Sequence, residues 1–127
     1  MTQKKTKSVK VKKLPASEKL RKLVINSLEN GKAEDIIEVD LRGRTEIADY
    51  MIICSGRSSR QVTALADKIS DIIKNQFGHI SKIEGKSLGD WVLLDAGDVI
   101  VHIFRPEVRD FYQLEKMWST DENSTSD

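Results

Sequence analysis

The side chains that could take part in catalysis are spread along this chain and form no familiar catalytic set. Metal-assisted nucleotidyl transfer needs two or three carboxylates on adjacent strands to hold a pair of cations. Asp35 and Glu38 fall on one predicted strand, and Asp95 and Asp98 flank a predicted turn, but no strand contains an Asp-x-Asp pair. Two aspartates beside a turn more often stabilise that turn. The sequence therefore predicts no metal site and no catalytic carboxylate pair.

The imidazole and thiol groups are equally sparse, since the chain has two histidines and one cysteine. One cysteine excludes an internal disulfide, and the absence of clustered ligands argues against structural zinc. His102 lies in an apolar run, where a lone histidine is more often a hydrogen-bonded structural residue than a general base. Cys54 also lies in an apolar run and is predicted to be a small buried hydrophobe. We predict that the protein is not an enzyme and needs no cofactor.

A Gly/Ser-rich loop over residues 55–59 allows two interpretations. Backbone N–H groups of such a loop, between a strand and a helix, can bind phosphate, and Arg57 and Arg60 would add positive charge. The loop lacks both GxxxxGK[ST] and GxGxxG. Ser58 followed by Gln61 is also a capping-box pattern. We favour a capped start of a helix over a phosphate site.

The net charge of +1 hides an uneven distribution along the chain. Residues 1–13 contain six lysines and no acidic residue, which leaves fifteen basic against twenty acidic residues in the rest. We predict a basic disordered arm over residues 1–13, a folded domain over 14–118 and a disordered acidic tail over 119–127. The arm either aids solubility or contacts the phosphates of RNA, whereas the acidic domain favours a basic partner.

The hydrophobic pattern predicts an α/β domain with a mixed β-sheet flanked by helices. Helices are predicted at about 17–30, 59–77 and 106–118, and strands at 35–41, 50–55, 79–84, 91–95 and 98–104. Ser17 is a candidate N-cap of the first helix, and Gly31 suits the left-handed residue that ends it. Gly78 is expected to end the second helix, and Phe111, Leu114 and Trp118 form an apolar stripe on the third.

The predicted hairpin around Ala96 and Gly97 carries the most informative side chains. Because side chains alternate along a strand, Trp91, Leu93 and Asp95 share one face, and Val92 and Leu94 share the other. Both faces therefore contain large apolar groups, so one of them is a candidate for contact with a partner rather than with the domain's own helices. Two roles for Trp91 stay open: completing the core, or anchoring an interface, where tryptophan is over-represented.

Several motifs of this sequence occur together in one known family. They are Asp40-Leu41-Arg42, Ala48-Asp49-Tyr50, Ser55-Gly56 with Ser59, Glu84-Gly85, and the run from Gly89 to Trp118. In this order they resemble the ribosomal silencing factor (Iojap) family over roughly residues 18–118. The resemblance implies a fold related to nucleotidyltransferases without the catalytic carboxylates, in agreement with the missing carboxylate pair.

The resemblance also implies a function. Family members bind the large ribosomal subunit through universal ribosomal protein fourteen (L14), block its joining to the small subunit and lower translation when nutrients are scarce. Members also act in late large-subunit assembly, and some are homodimers when free. The alternative is a nucleotidyltransferase-like protein that binds nucleotide or RNA.

Hairpin geometry and composition suggest which residues would contact the ribosomal protein. We predict Trp91 as the anchor with Leu93 and Tyr50 around it, and the carboxylates of Glu84, Asp90 and Asp95 as charged partners. No apolar stretch approaches the roughly 18 residues that span a membrane, and the first residues lack the apolar segment of a secretory signal. With the single cysteine, these features predict a cytoplasmic protein.

Overall fold

The computed structural model describes residues 15–112 and 116, and within them it contains three helices and five strands. The helices are α1 (Pro15–Asn30), α2 (Ser59–Phe77) and α3 (Pro106–Tyr112). The strands are β1 (Glu34–Asp40), β2 (Tyr50–Ser55), β3 (Lys82–Glu84), β4 (Trp91–Asp95) and β5 (Val99–Phe104). The predicted order αββαβββα is confirmed. The predicted stripe on the third helix and the ends of the domain lie outside the described residues.

The five strands form one mixed sheet in the order β1-β2-β5-β4-β3. Strands β2 and β5 run parallel, and the other three neighbouring pairs are antiparallel. A parallel pair needs a long crossover connection, and here α2, β3 and β4 provide it. The predicted mixed α/β sheet is therefore confirmed.

The main core lies between one face of the sheet and the two long helices. Val24 and Leu28 of α1 and Ile69 of α2 are fully buried in it. The sheet contributes the side chains of Tyr50, Ile52, Cys54, Val92, Leu94, Val99, Val101 and Ile103. Because side chains alternate along each strand, Trp91 and Leu93 lie on the opposite face of the sheet. We call the face under α1 and α2 the helix face.

The ends of α2 follow from its sequence. Ser58 is the N-cap, and its hydroxyl accepts a hydrogen bond from the Gln61 backbone N–H at 3.1 Å. Gly78 is left-handed at φ 67° and donates its N–H to the Lys74 carbonyl at 3.0 Å. Both predicted end signals of this helix are confirmed.

Both predicted end signals of α1 are wrong. Ser17 is not the N-cap, because the helix already includes Pro15. Gly31 is not the left-handed residue, since Lys32 has that conformation at φ 66°. Gly31 instead lies close to α2, where a Cβ atom would be 2.5 Å from Cδ2 of Leu65, so a larger residue would require the Leu65 side chain to shift.

Candidate partner-binding site

The β4–β5 hairpin turns through residues 96–98. The Ala96 N–H donates to the Val99 carbonyl at 3.0 Å, and Gly97 is left-handed at φ 90°. The Asp95 carboxylate accepts a hydrogen bond from the Gly97 N–H at 2.9 Å, so its predicted role in the turn is confirmed. The Asp98 carbonyl accepts from the backbone N–H groups of Asp49 and Tyr50, which ties the turn to the start of β2.

Trp91 lies on the sheet face opposite α1 and α2, where it is half-buried. Its ring centroid is 4.9 Å from that of Phe104, its directly paired neighbour on β5. Its indole Nε1–H donates to Nδ1 of His102 at 2.9 Å. His102 is paired with Leu93, so this bond runs diagonally across the strands, a distance that a large aromatic side chain can reach. The indole is therefore held on two sides by β5.

His102 is a neutral hydrogen-bond acceptor in this arrangement. Its side chain is buried, and burial lowers the pKa of the imidazole to about 4. Because Nδ1 accepts the indole hydrogen, the neutral ring carries its proton on Nε2. The prediction that His102 is a hydrogen-bonded structural residue is confirmed, and its partner is the proposed anchor itself.

We expect this buried imidazole to make folding pH-dependent. The pKa of His102 falls from 6.5 in the unfolded chain to about 4 in the folded one, so protons bind the unfolded chain more readily between these values. Its contribution to stability is complete above pH 6.5 and is lost as the pH falls toward 4. We expect the free energy of unfolding to drop by about 1–2 kcal/mol between pH 7.5 and pH 5.

Urea unfolding at several pH values would measure this drop. The matched variant His102→Asn keeps an acceptor but does not titrate, so its unfolding free energy should be flatter across the same range. The Asp40 carboxyl does not confuse the comparison, because hydrogen bonds from Arg42 hold its pKa at about 2. Equal pH dependence in the two proteins would contradict the assignment.

Four of the predicted contact residues share one surface. Leu93 and Asp95 follow Trp91 at alternate positions of β4, and Glu84 of β3 is paired with Leu93. We call Glu84, Trp91, Leu93 and Asp95 the hairpin face. Glu84 is exposed, and the other three are half-buried. This surface combines an aromatic ring, an aliphatic side chain and two carboxylates.

Asp90 lies at the edge of the hairpin face, one residue before β4. Its carboxylate accepts a hydrogen bond from Arg105 at 3.0 Å, and its carbonyl accepts from the Arg105 N–H at 2.9 Å. Arg105 also forms an ion pair with Glu107. Part of the predicted charge of Asp90 is therefore already engaged inside the domain.

The structure does not bring Tyr50 to the hairpin face, so the predicted grouping of Tyr50 with Trp91 is wrong. Tyr50 is 4% exposed and belongs to the core on the helix face. Its hydroxyl donates to the Glu18 carboxylate at 3.3 Å, and the guanidinium groups of Arg21 and Arg42 lie 4.9 and 5.0 Å from its ring centroid. Burial raises the pKa of its hydroxyl.

Sequence reasoning also missed two residues that shape this face. Lys82 is paired with Asp95 and places a cation at its outer edge. Phe104 is fully buried beneath the Trp91 ring. Alternation along each strand could have placed Lys82 and Phe104 on this face of the sheet. That step also needs the register between the paired strands, which the sequence does not give.

Two backbone N–H groups of the Gly/Ser loop before α2 are bonded within the domain. The Gly56 N–H donates to the Phe104 carbonyl at 2.9 Å, and the Arg57 N–H donates to the Gln61 side chain at 2.7 Å. The Arg57 guanidinium forms an ion pair with Glu34 at 3.0 Å. These groups already have partners within the domain, in agreement with the favoured interpretation of a capped helix start.

The other candidate reactive groups are also accounted for. Cys54 is fully buried in β2, and burial raises the pKa of its thiol to about 12, so it is a packed hydrophobe rather than a nucleophile. Among residues 15–112 and 116, no group of three or more His, Cys, Asp or Glu side chains could hold a metal ion. Within the same ranges, no helix is long and apolar enough to cross a membrane.

Comparison with known families decides the class of the protein. The family model described as "Ribosomal silencing factor during starvation" matches residues 14–127. The chain belongs to the ribosomal silencing factor family. The family predicted from the sequence motifs is therefore confirmed.

Similar proteins occur in bacteria and in the mouse. The ribosomal silencing factor of Zymomonas mobilis is 58% identical over 107 residues, which cover 84% of this chain and 80% of that protein. A mouse protein named "Mitochondrial assembly of ribosomal large subunit protein 1" is 32% identical over 76% of this chain and 44% of its own length. A crystal structure from Chromobacterium violaceum has a TM-score of 0.77 at 42% identity, covering 82% of this chain and 87% of that one.

Proposed function

We propose that this protein binds the large ribosomal subunit through ribosomal protein L14 and blocks the joining of the small subunit. Translation would fall as a result when nutrients are limited. The hairpin face is the contact surface of this proposal, with Trp91 as the anchor. Leu93 extends the apolar contact, and Glu84, Asp90 and Asp95 meet basic groups of the ribosomal protein.

The observation that carries the proposal is the placement of Trp91. Its indole is half-buried on the sheet face away from α1 and α2, and two β5 side chains hold it there. A preformed aromatic anchor loses little conformational entropy on binding. The carboxylates around it suit a ribosomal protein, because such proteins are usually basic, and opposite charges speed encounter.

The proposed mechanism needs affinity and bulk rather than catalysis. A protein of 14.4 kDa seated where two subunits meet excludes the small subunit by volume. Two N–H groups of the Gly/Ser loop, those of Gly56 and Arg57, already have partners within the domain, which weighs against a nucleotide-binding alternative. The name of the mouse relative supports an additional role in assembly of the large subunit.

Co-sedimentation with separated ribosomal subunits would test the binding step. We expect the protein to travel with the large subunit and not with the small one. A large subunit reconstituted without L14 is the matched control, and it should bind much less protein. Equal binding to both subunits, or binding unaffected by loss of L14, would contradict the proposed contact.

A role for the lysine-rich arm, residues 1–13, would appear in the salt dependence of the binding affinity. If its six lysines contact ribosomal RNA, each neutralised phosphate adds to the salt dependence of binding, by a slope of about 0.7–0.9 per contact. Deleting residues 1–13 should therefore flatten a plot of log affinity against log salt concentration. A deletion variant with the same slope as the full chain would show that the arm makes no such contact.

Two further properties complete the proposal. We propose a cytoplasmic location, where free ribosomal subunits would be available to this protein. The homodimer that the resemblance implies for the free protein stays a prediction, and sedimentation equilibrium of the purified chain would test it.

A further inference from the structure

The hydrogen bond between Trp91 and His102 has a consequence for recognition by the hairpin face. An exposed indole presents one donor, its Nε1–H, beside a large apolar ring. Here that donor is already bonded to Nδ1 of His102 at 2.9 Å. A partner that approaches Trp91 therefore meets ring carbons and not the N–H group.

We infer that His102 is a positioning residue that fixes the Trp91 indole with its N–H turned into the domain. The hairpin face then offers an apolar contact at Trp91 and leaves polar recognition to Glu84 and Asp95. This inference rests on the proposed function, because it concerns how the same face selects its partner. The partner chemistry that fits is an aliphatic or cationic side chain against the ring, with a nearby Lys or Arg for the carboxylates.

Geometry holds His102 firmly enough for this role. It lies on β5 between the antiparallel strand β4 and the parallel strand β2. Its backbone is paired with Leu93 of β4 on one side and with Ile53 of β2 on the other. Its side chain is 9% exposed. The Trp91 and His102 ring centroids are 5.9 Å apart, and Phe104 lies 6.0 Å from the His102 ring on the same face. Because the imidazole is itself held in place, its hydrogen bond can hold the indole in one orientation.

Electrostatics support the same assignment. The acceptor atom is available only while the imidazole is neutral, and burial keeps the pKa of His102 at about 4. At neutral pH the Nδ1 lone pair is therefore present in almost every molecule. Replacing His102 by an apolar residue would leave the indole N–H without this acceptor and remove one of the contacts that fix the ring.

Two substitutions separate positioning from packing. His102→Asn supplies an amide oxygen near the position of Nδ1, whereas His102→Leu has similar bulk and no acceptor. We expect His102→Leu to weaken binding to isolated large subunits by about tenfold and His102→Asn to restore most of that loss. In a Trp91→Phe background, which has no N–H group, the same two substitutions should change affinity little.

Nuclear magnetic resonance of the full chain can test whether the Trp91 N–H is hydrogen-bonded, without ribosomes. The chain has two tryptophans. In a ¹⁵N–¹H spectrum, the indole proton signal that is present in the wild type and missing from Trp91→Phe is assigned to Trp91. We expect that proton to exchange slowly with water in the wild type and in His102→Asn, and quickly in a folded His102→Leu. Fast exchange in the wild type would overturn the inference.

The binding and exchange measurements together also separate this inference from the proposed function. If the wild type fails to bind large subunits, the proposed function fails, and the exchange rates alone decide whether His102 fixes the indole. If the wild type binds, Trp91→Ala does not, and His102→Leu binds like the wild type, the positioning role is overturned while the function stands. Thermal unfolding of each variant shows which are folded. If His102→Leu is not folded, the exchange rate of the Trp91 indole proton in the wild type decides, because fast exchange there overturns the inference.

Discussion

Replacing Trp91 by alanine is expected to weaken binding to the large ribosomal subunit by about thirtyfold, or ~2 kcal/mol. The substitution removes the aromatic group that Phe104 and His102 hold on the hairpin face. Partner side chains that pack against the indole would then face a gap. Equilibrium binding to purified large subunits, with the protein fluorescently labelled, would measure the change.

Two control variants sharpen this prediction. Ile80 is 73% exposed but lies outside the hairpin face, so Ile80→Ala tests the loss of an apolar group elsewhere. Tyr50→Phe tests the residue that sequence analysis wrongly grouped with Trp91. Both should bind within about twofold of the wild type. A folded Trp91→Ala protein that binds as tightly as these controls would remove Trp91 from the interface.

Replacing Gly85 by alanine is expected to destabilise the domain by about 2–4 kcal/mol. Gly85 has φ +90°, which L side chains rarely adopt, and a Cβ atom there would lie 2.2 Å from the Trp91 carbonyl oxygen. That oxygen belongs to the β4 backbone, so it cannot move aside as a flexible side chain would. Urea unfolding would measure the loss, and because the clash falls on Trp91 itself, binding should also weaken.

Gly43→Ala is the matched control for Gly85→Ala. Gly43 has a similar backbone conformation at φ +80°, but a Cβ atom there would have nothing within 4 Å. The control therefore includes the conformational cost, about 1 kcal/mol, without the clash. Equal losses in the two variants would show that the close approach to β4 has no energetic effect.

The sequence predicted the parts of the fold that local chemistry determines. The run YMIICS gave β2 with its observed bounds, Tyr50–Ser55, because six apolar or small residues in a row suit a central strand. The apolar stripe and end signals of α2 gave Ser59–Phe77 in the same way. Gly31 does not end α1 as predicted, and its close approach to Leu65 involves a helix that is distant in sequence, which local patterns do not show.

The candidate site was predicted only in part, because its geometry depends on register. Alternation along β4 correctly placed Trp91, Leu93 and Asp95 on one face. In β2, where every residue is buried, no such alternation exists, and the sequence could not assign Tyr50 to a face. The diagonal bond from Trp91 to His102 likewise requires the pairing of β4 with β5, which local patterns do not specify.

Subunit joining measured by sedimentation tests the central claim most directly. Purified subunits would be mixed at a magnesium concentration that allows joining, with excess wild-type protein, with Trp91→Ala or with no addition. We expect the wild type to travel with the large subunit and leave free subunits, while Trp91→Ala permits joining. Normal joining in the presence of bound wild-type protein would contradict the account.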